Sequence, residues 1–228
     1  MTKRDEQFLE DAYALGGEAD KKDITGFYKR WAQEYNERME AGLGYLSPDT
    51  LAARLCAHYE PRSGSQGEPQ LESQSEPQSD QCIVDIGCGT GLAGKALAAL
   101  GFTAIDGIDL SPDMLAQAGA IEIYRKLIEA DLTAILPVAD NTYDAAICTG
   151  TFTHGHVDAT ALEEIVRILR PGGYFAFTVH RHIWQSAGFE STLANLHKRG
   201  KLSPLERQAH PLFEAGSDDG WFCVHQKQ

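Results

Sequence analysis

The feature that most constrains the fold of this chain is a glycine-rich turn directly after a short apolar run. Residues 82–86 read Cys-Ile-Val-Asp-Ile, and residues 87–91 continue as Gly-Cys-Gly-Thr-Gly. An Ala- and Leu-rich stretch follows over residues 92–100, and this composition predicts a helix. A strand, a glycine turn and a helix in this order direct backbone N–H groups and the positive end of the helix dipole at a ligand. The sequence therefore predicts a ligand site at this turn.

Strand and helix patterns alternate through the rest of the chain. Further strands are predicted near residues 103–110, 124–130, 143–148, 174–179, 206–214 and 221–226, and helices near 112–120, 162–169 and 188–202. Strands separated by helices indicate a parallel sheet that is covered on both faces. We expect an α/β, Rossmann-like, doubly wound fold with a seven-stranded, mostly parallel sheet. A C-terminal antiparallel hairpin strand would complete the sheet.

The first 81 residues differ in character from this α/β pattern. Phe27, Trp31 and Tyr35 recur at four-residue spacing and predict one aromatic helix face, while Ser47 and Pro48 open a second helix. Residues 61–81 are almost entirely Ser, Gln, Glu, Pro and Gly, a composition that cannot bury enough surface to order itself. We predict an N-terminal helical lid segment (1–60), a flexible low-complexity loop (61–81) and a single main domain (82–228).

Charge and composition exclude several classes of function. The formal net charge is −13, whereas proteins that bind nucleic acids hold phosphates with clustered Lys and Arg. No apolar run reaches the roughly 20 residues of a membrane span, and no signal peptide is recognisable. The five cysteines contain no Cys-x-x-Cys pair, so no zinc ribbon is expected. We expect a cytoplasmic protein, a monomer or weak dimer, with a small-molecule substrate and no nucleic-acid or membrane partner.

The glycine turn alone leaves two ligands open. Gly89, Gly91 and Gly94 match the dinucleotide fingerprint, and Asp109 follows at about the spacing expected for a ribose-binding acid. Asp85, however, stands directly before the turn, where a carboxylate would repel a pyrophosphate. The same carboxylate can accept hydrogen bonds from the ammonium of a methionine moiety. The residues therefore favour S-adenosylmethionine over NAD.

Several ordered motifs make the sequence resemble one known family. Asp-Ile-Gly-Cys-Gly-Thr-Gly (85–91), Gly-Ile-Asp-Leu-Ser-Pro-Asp-Met-Leu (107–115), Ala-Asp-Leu (130–132), Tyr-Asp (143–144) and Arg-Pro-Gly-Gly (170–173) resemble the motifs of class I S-adenosylmethionine-dependent methyltransferases. The N-terminal Tyr/Trp pattern and residues 153–156 are similar to the methyltransferase-like proteins named after the Williams-Beuren syndrome chromosome region. Malonyl-carrier-protein methyltransferases are a more distant resemblance.

The resemblance implies a role for each matching position. Asp109 would accept hydrogen bonds from both ribose hydroxyls, because a carboxylate is an acceptor only. Leu110 and Met114 would pack against the adenine ring, and Asp131 would read its amino edge. The other cofactor positions are on the turn, the strand ends and the lid: Tyr28, Tyr35, Asp85, Gly87, Cys88, Gly89, Ala130, Leu132, Cys148, Thr149 and Gly150.

Histidines after the fourth and fifth strands are the candidates for the acceptor side. His154 and His156 follow one strand, and His180 and His182 follow the next. Two imidazoles without a Cys or carboxylate partner make a weak metal motif, so no metal is predicted. We expect a methyltransferase in which His154 orients the acceptor or takes its proton. A non-catalytic S-adenosylmethionine-binding regulatory module and an NAD-dependent oxidoreductase stay open as alternatives.

Overall fold

The computed structural model describes residues 26, 37, 39, 43–59, 81–153, 157–214 and 219–228. Within these ranges the helices are α1 (Ser47–His58), α2 (Leu92–Ala99), α3 (Pro112–Ala120), α4 (Ala161–Ile168) and α5 (Phe189–Lys198), with a 3-10 turn at Arg181–Ile183. The strands are β1 (Cys82–Ile86), β2 (Ala104–Asp109), β3 (Tyr124–Glu129), β4 (Tyr143–Phe152), β5 (Leu169–His180), β6 (Leu202–Pro211) and β7 (Asp219–Lys227). No helix in these ranges has the length and apolar character that a membrane crossing needs.

The seven strands form one sheet in the order β3-β2-β1-β4-β5-β7-β6. Neighbours from β3 to β5 pair in parallel, and β7 runs antiparallel to both β5 and β6. The chain leaves β1 toward β3 and then crosses back to β4 on the other side of β1. This reversal creates a switch point between β1 and β4, where ligands of open α/β sheets bind. The predicted doubly wound sheet and its C-terminal hairpin are confirmed.

Two apolar cores cover the two faces of the sheet. On one face, Val84 and Phe177 belong to a buried cluster with Leu162 of α4 and Phe189 of α5. The other face packs against α1 and α2, in a cluster that includes the following fully buried residues: Ile83, Ile147, Leu51, Leu97 and Phe222. All five residues of β1 are buried, as expected for a central strand covered on both sides. Alternate residues of β1 therefore face opposite cores, and Asp85 faces the α1–α2 side with Ile83.

Element boundaries differ from the sequence predictions in several places, and β5 begins at Leu169 rather than near residue 174. The helix predicted over 188–202 ends at Lys198, because Gly200 turns the chain at φ +63°. The hairpin strands are shifted and longer than predicted, and β6 includes Pro204, which an edge strand tolerates beside a register shift. Ser47 lies inside the first turn of α1, and Leu46 occupies the cap position.

Part of the predicted organisation lies outside the described residues. The predicted aromatic face of Phe27, Trp31 and Tyr35 lies outside them, whereas residues 43–59 of the predicted lid segment are described and Gln81 is the one described residue of the predicted loop. The division into segments 1–60, 61–81 and 82–228 therefore stays a prediction.

Candidate active site

The glycine turn connects β1 to α2 at the switch point of the sheet. Gly87, Gly89 and Gly91 all have positive φ, at +66°, +54° and +96°. A Cβ added at Gly87 would clash with Thr151 Oγ1, so this glycine lets the turn pack against the end of β4. A Cβ added at Gly89 would meet nothing within 4 Å. Gly89 therefore borders open space above the turn, where a ligand can approach the main chain.

Most of the described backbone N–H groups of the turn bond within the protein. Cys88 N donates to Ile108 O at 2.9 Å, and Gly91 N donates to Cys88 O at 2.8 Å. Gly89 N donates to Asp109 Oδ2 at 2.8 Å. The sequence suggested that these groups would face the ligand, but the N–H groups of Cys88 and Gly89 tie the turn to the end of β2, and that of Gly91 bonds within the turn. This arrangement leaves little of the N–H cradle that a pyrophosphate requires.

Asp85 has a buried carboxylate, and its two oxygens differ in whether a described residue donates a hydrogen bond to them. Its side chain is 1% exposed, and Tyr124 Oη donates to Oδ2 at 2.7 Å. Oδ1 has no hydrogen-bond partner within the described ranges. Burial raises the pKa of Asp85 to about 7, against smaller opposing effects of the Tyr124 and Gly94 hydrogen bonds. A cationic donor such as an ammonium beside Oδ1 would favour the ionised carboxylate, which is an acceptor only.

Tyr124 is a site residue that the sequence analysis missed. A Cβ added at Gly94 would clash with the phenol, and Cβ atoms at Gly91 and Gly107 would lie 3.1 and 3.2 Å from its ring carbons. Three glycines on three elements thus make room for one ring that reaches Asp85. Gly94, which completes the dinucleotide fingerprint, serves this packing. The only sequence signal was the coincidence of these glycines with an aromatic residue at the start of β3.

Asp109 ends β2 and lies beside the turn. Its Oδ2 accepts the Gly89 N–H and its Oδ1 accepts the Ser111 N–H, each at 2.8 Å. Burial raises the pKa of this half-buried carboxyl above its ordinary value, and the backbone hydrogen bonds oppose the rise. Each carboxylate oxygen has two lone pairs, so both can accept a further hydrogen bond. Asp109 is therefore both a brace for the turn and a candidate acceptor for a diol.

The predicted adenine-side residues cluster at the ends of β2 and β3. Ala130 N donates to Asp109 O at 2.9 Å, which joins the two strand ends. Asp131 Oδ1 accepts from Thr133 N at 2.9 Å and from Thr133 Oγ1 at 2.7 Å. Met114 is 1% exposed, whereas Leu110 is half-buried. Of these two side chains, Leu110 is the one that presents surface to a flat ring. Leu132 is also buried.

The end of β4 departs from regular strand geometry. Its pairing with β5 is irregular between Cys148 and Phe152, and Gly150 has φ +70°. Gly150 N donates to Thr178 Oγ1 at 3.3 Å, and Thr151 Oγ1 donates to Ile86 O at 3.3 Å. Cys148 is fully buried in the core, so the accessible part of this strand end begins at Thr149 and Gly150, which are partly exposed. Irregularities of this kind re-aim the strand end and are frequent beside active sites.

The structure brings together most of the predicted cofactor positions, but not all of them can be located. Asp85, Gly87, Gly89 and Asp109 are linked around the turn as described above. Other predicted positions lie outside the described residues: Tyr28, Tyr35, His154 and His156. The rings of His180 and His182 lie 5.1 Å apart at the end of β5. The described part of the chain contains no group of three residues suited to holding a metal ion.

The sequence is similar to a family model and to individual proteins that are all described as methyltransferases. A family model described as a methyltransferase domain matches residues 84–177. Methyltransferase-like protein 27 of Homo sapiens is 32% identical over 200 residues, which cover 84% of this chain and 73% of the human protein. Methyltransferase phqN of Penicillium fellutanum is 27% identical over 211 residues, which cover 86% of this chain and 59% of that protein. The chain thus spans less than two thirds of the second relative.

A solved structure extends the similarity to the whole fold. It is the Burkholderia thailandensis 1,6-didemethyltoxoflavin-N1-methyltransferase with bound 1,6-didemethyltoxoflavin and S-adenosylhomocysteine. It matches with a TM-score of 0.61 and 17% identity, over 90% of this chain and 87% of that chain. At this level of identity the likeness concerns the fold.

Proposed function

Because this chain belongs to the class I S-adenosylmethionine-dependent methyltransferases, we propose that it transfers a methyl group from this cofactor to a small-molecule acceptor. The observation that carries the proposal is the pair of carboxylates flanking the glycine turn. Asp85 has one oxygen without a partner among the described residues, and Asp109 lies at the end of β2. Between them, Gly89 borders open space. This arrangement fits a ligand with a cationic end and a diol.

The residues around the turn would hold the cofactor by its polar groups. Asp109 accepts hydrogen bonds from the ribose hydroxyls, and Asp85 accepts from the methionine ammonium. Leu110 packs against the adenine ring, and Asp131 accepts from the adenine amino group. Ala130 and Leu132 border the ring, and the backbone from Cys148 to Gly150 borders the methionine end. Tyr28 and Tyr35 remain candidates for a lid.

The protein contributes to this reaction mainly by orienting the acceptor and the cofactor. When bound, the cofactor supplies a methyl group on a sulfonium, which is already activated for displacement. The chain's own residues then hold the nucleophile in line at roughly 3–3.5 Å from that carbon and exclude water. His154 is proposed to orient the acceptor or take its proton. If His154→Ala turns over the true acceptor at the wild-type rate, this role is wrong.

Two observations support a small acceptor. The net charge of −13 opposes binding to the phosphate backbone of a nucleic acid and suits a cationic, zwitterionic or small neutral molecule. The structural neighbour from Burkholderia thailandensis is named for methylation of a small molecule and was solved with one bound. Neither of the two alternatives, a non-catalytic module or an NAD-dependent oxidoreductase, finds support in the family relationship.

Calorimetric titration of the full chain with S-adenosylhomocysteine and NADH tests the cofactor site. We expect binding of S-adenosylhomocysteine only, weakened roughly ten- to a hundredfold by Asp109→Asn, because hydrogen bonds to a charged acceptor are lost. Asp113→Asn, on the neighbouring helix, is the matched control and should bind as wild type. Binding of NADH without S-adenosylhomocysteine would overturn the proposal. Transfer of labelled methyl to a fractionated small-molecule extract then tests for catalysis.

A further inference from the structure

Three buried side-chain oxygens on one side of the sheet lack hydrogen-bond partners. They are Tyr45 Oη, Ser47 Oγ and Asp85 Oδ1, each unpartnered among the residues that the structure describes. Ser47 is fully buried and Asp85 is 1% exposed. Leaving one such group unpaired costs about 1–3 kcal/mol, and native proteins seldom accumulate them without a reason. A ligand that pairs with all three would supply the reason.

Tyr45 lies over the irregular end of β4. A Cβ added at Gly150 would lie 2.7 Å from Tyr45 Oη, so the phenol rests directly on this glycine. Asp85 pairs in register with Ile147, three residues before Gly150 on the same strand. The Ser47 and Thr149 hydroxyls are close to Tyr45 Oη, but neither completes a hydrogen bond with it. The phenol thus lies at the same carboxyl edge of the sheet as Asp85.

Backbone hydrogen bonds on both sides of Tyr45 in the sequence hold it in this place. Leu46 N donates to Leu212 O and Glu214 N donates to Gly44 O, each at 2.9 Å. The Tyr45 ring lies 5.2 Å from the ring of Phe213, just beyond β6. The end of the C-terminal hairpin therefore clamps the segment before α1. This clamp fixes the phenol before any ligand arrives, which lowers the entropy cost of binding.

The unpartnered groups have complementary hydrogen-bond characters. Burial, with smaller contributions from Cys148 and Asp85, raises the pKa of Tyr45 to about 12, so the phenol is a neutral donor near pH 7. Ser47 adds a second hydroxyl donor, and α1 begins at this residue, so the positive end of its dipole points the same way. Asp85 is an acceptor. Two donors beside a helix N-terminus suit a carboxylate, and the acceptor suits an ammonium.

We propose that Tyr45 and Ser47 donate hydrogen bonds to the carboxylate of the cofactor's methionine moiety, while Asp85 accepts from its ammonium. The inference rests on the proposed function and deepens it, because it assigns two further positioning residues outside the glycine turn. The hairpin clamp would then connect the C-terminal end of the sheet to cofactor binding.

The test compares two ligands that differ in the amino-acid group. S-adenosylhomocysteine carries it, and 5′-methylthioadenosine has the same nucleoside and thioether without it. We expect Tyr45→Phe and Ser47→Ala each to weaken S-adenosylhomocysteine roughly ten- to a hundredfold in calorimetry, since a hydrogen bond to a charged group is lost. The Kd of 5′-methylthioadenosine should change less than twofold. Tyr174→Phe, which removes a hydroxyl near the opposite edge of the sheet, should change neither.

The outcomes separate this inference from the proposed function. If wild type binds S-adenosylhomocysteine and Tyr45→Phe weakens both ligands equally, or neither, the assignment of Tyr45 is overturned. If wild type binds neither ligand, the proposed function falls, and this inference with it. The variant keeps the ring that contacts Phe213 and removes a buried hydroxyl, so without ligand its melting temperature should equal or exceed that of wild type. If Tyr45→Phe lowers turnover and leaves binding of both ligands unchanged, Tyr45 acts on the methyl acceptor instead of on the cofactor. This result would also overturn the inference.

Discussion

At the scale of single residues, the glycines around the turn perform different tasks. Gly87 allows contact with Thr151, while Gly94 and Gly107 make room for the Tyr124 ring. Of the glycines around the turn, Gly89 is the one at which an added Cβ meets nothing within 4 Å. A pattern that matches the dinucleotide fingerprint in sequence is therefore explained position by position through packing and one glycine that borders open space. The consequence is that substitutions at these glycines should separate into effects on stability and effects on binding.

Gly89→Ala should impair both folding and cofactor binding, whereas Gly172→Ala should impair folding alone. Gly89 and Gly172 both have positive φ, at +54° and +79°, and an added Cβ at either meets nothing within 4 Å. Each alanine variant should therefore lose about 1–2 kcal/mol of unfolding free energy in urea titration, from backbone strain. The methyl group of Gly89→Ala would also enter the space above the turn and weaken S-adenosylhomocysteine at least tenfold in calorimetry. Equal affinities in the two variants would contradict this prediction.

At the scale of elements, one tyrosine contact and one arginine contact hold the edge strand β3 to the sheet. Tyr124 reaches Asp85 of β1, and Arg125 Nε lies 3.0 Å from Asp106 Oδ1 of β2. Tyr143 of β4 donates to Asp106 Oδ2 at 3.1 Å. Asp106 is 2% exposed, so these two partners compensate a buried charge. The network spans four adjacent strands and keeps the end of β2, with Asp109, in position.

A stack of aromatic rings joins β7 to α5 on the face of the sheet that α4 and α5 cover. The His225 ring lies 5.2 Å from that of His197 and 5.5 Å from that of Phe177, with interplanar angles of 21° and 23°. His225 Nδ1 and His197 Nε2 have no hydrogen-bond partner in the described ranges. Burial, with the nearby His197 and Arg207, lowers the pKa of His225 to about 3. The stack therefore depends on a neutral imidazole.

This dependence predicts a loss of stability in acid. The unfolded imidazole binds a proton below its ordinary pKa of about 6.5, whereas folded His225 does so only near pH 3. Unfolding free energy should therefore fall as the pH drops from about 6.5, by up to about 1.4 kcal/mol per pH unit from this group. In urea titrations between pH 7 and pH 4, His225→Phe should show a smaller fall than wild type. An identical pH dependence in the two proteins would mean that His225 is not responsible.

At the scale of the whole molecule, negative charge is in large excess. There are 33 acidic and 20 basic residues, and several arginines lie in ion pairs, among them Arg54 with Glu206, Arg170 with Asp144 and Arg181 with Asp219. The more exposed of these pairs, such as Arg181 with Asp219, contribute little to stability, and salt screens them. The unpaired acids repel one another and destabilise the compact state.

Salt should therefore stabilise this protein. Raising the ionic strength from about 10 to 150 mM shortens the range of the repulsion to roughly 8 Å. We expect the melting temperature to rise by roughly 2–4 °C, which corresponds to about 1 kcal/mol. The measurement is a thermal melt at constant pH with sodium chloride. A fall in melting temperature would show that ion pairs outweigh the net repulsion.

Much of the fold and half of the candidate site were predictable from the sequence. The order of strands and helices, the glycine turn between β1 and α2, and Asp109 at the end of β2 depend on local periodicity and on backbone conformations that only certain residues adopt. Burial and φ values in the structure agree with each of these. Such features involve residues near one another in the chain, so a single sequence contains enough information to place them.

The remaining features depended on tertiary structure. Tyr124 reaches Asp85 across 39 residues of sequence, and Tyr45 meets Gly150 only because the hairpin clamps its segment. The engagement of the turn's N–H groups by Asp109 and Ile108 likewise depends on how β2 lies beside β1. A sequence specifies which groups can donate or accept, and only packing decides which are already paired. For this protein, the sequence predicted where in the fold the cofactor would bind, and the tertiary structure decided which of the described side chains at that place are already paired with one another.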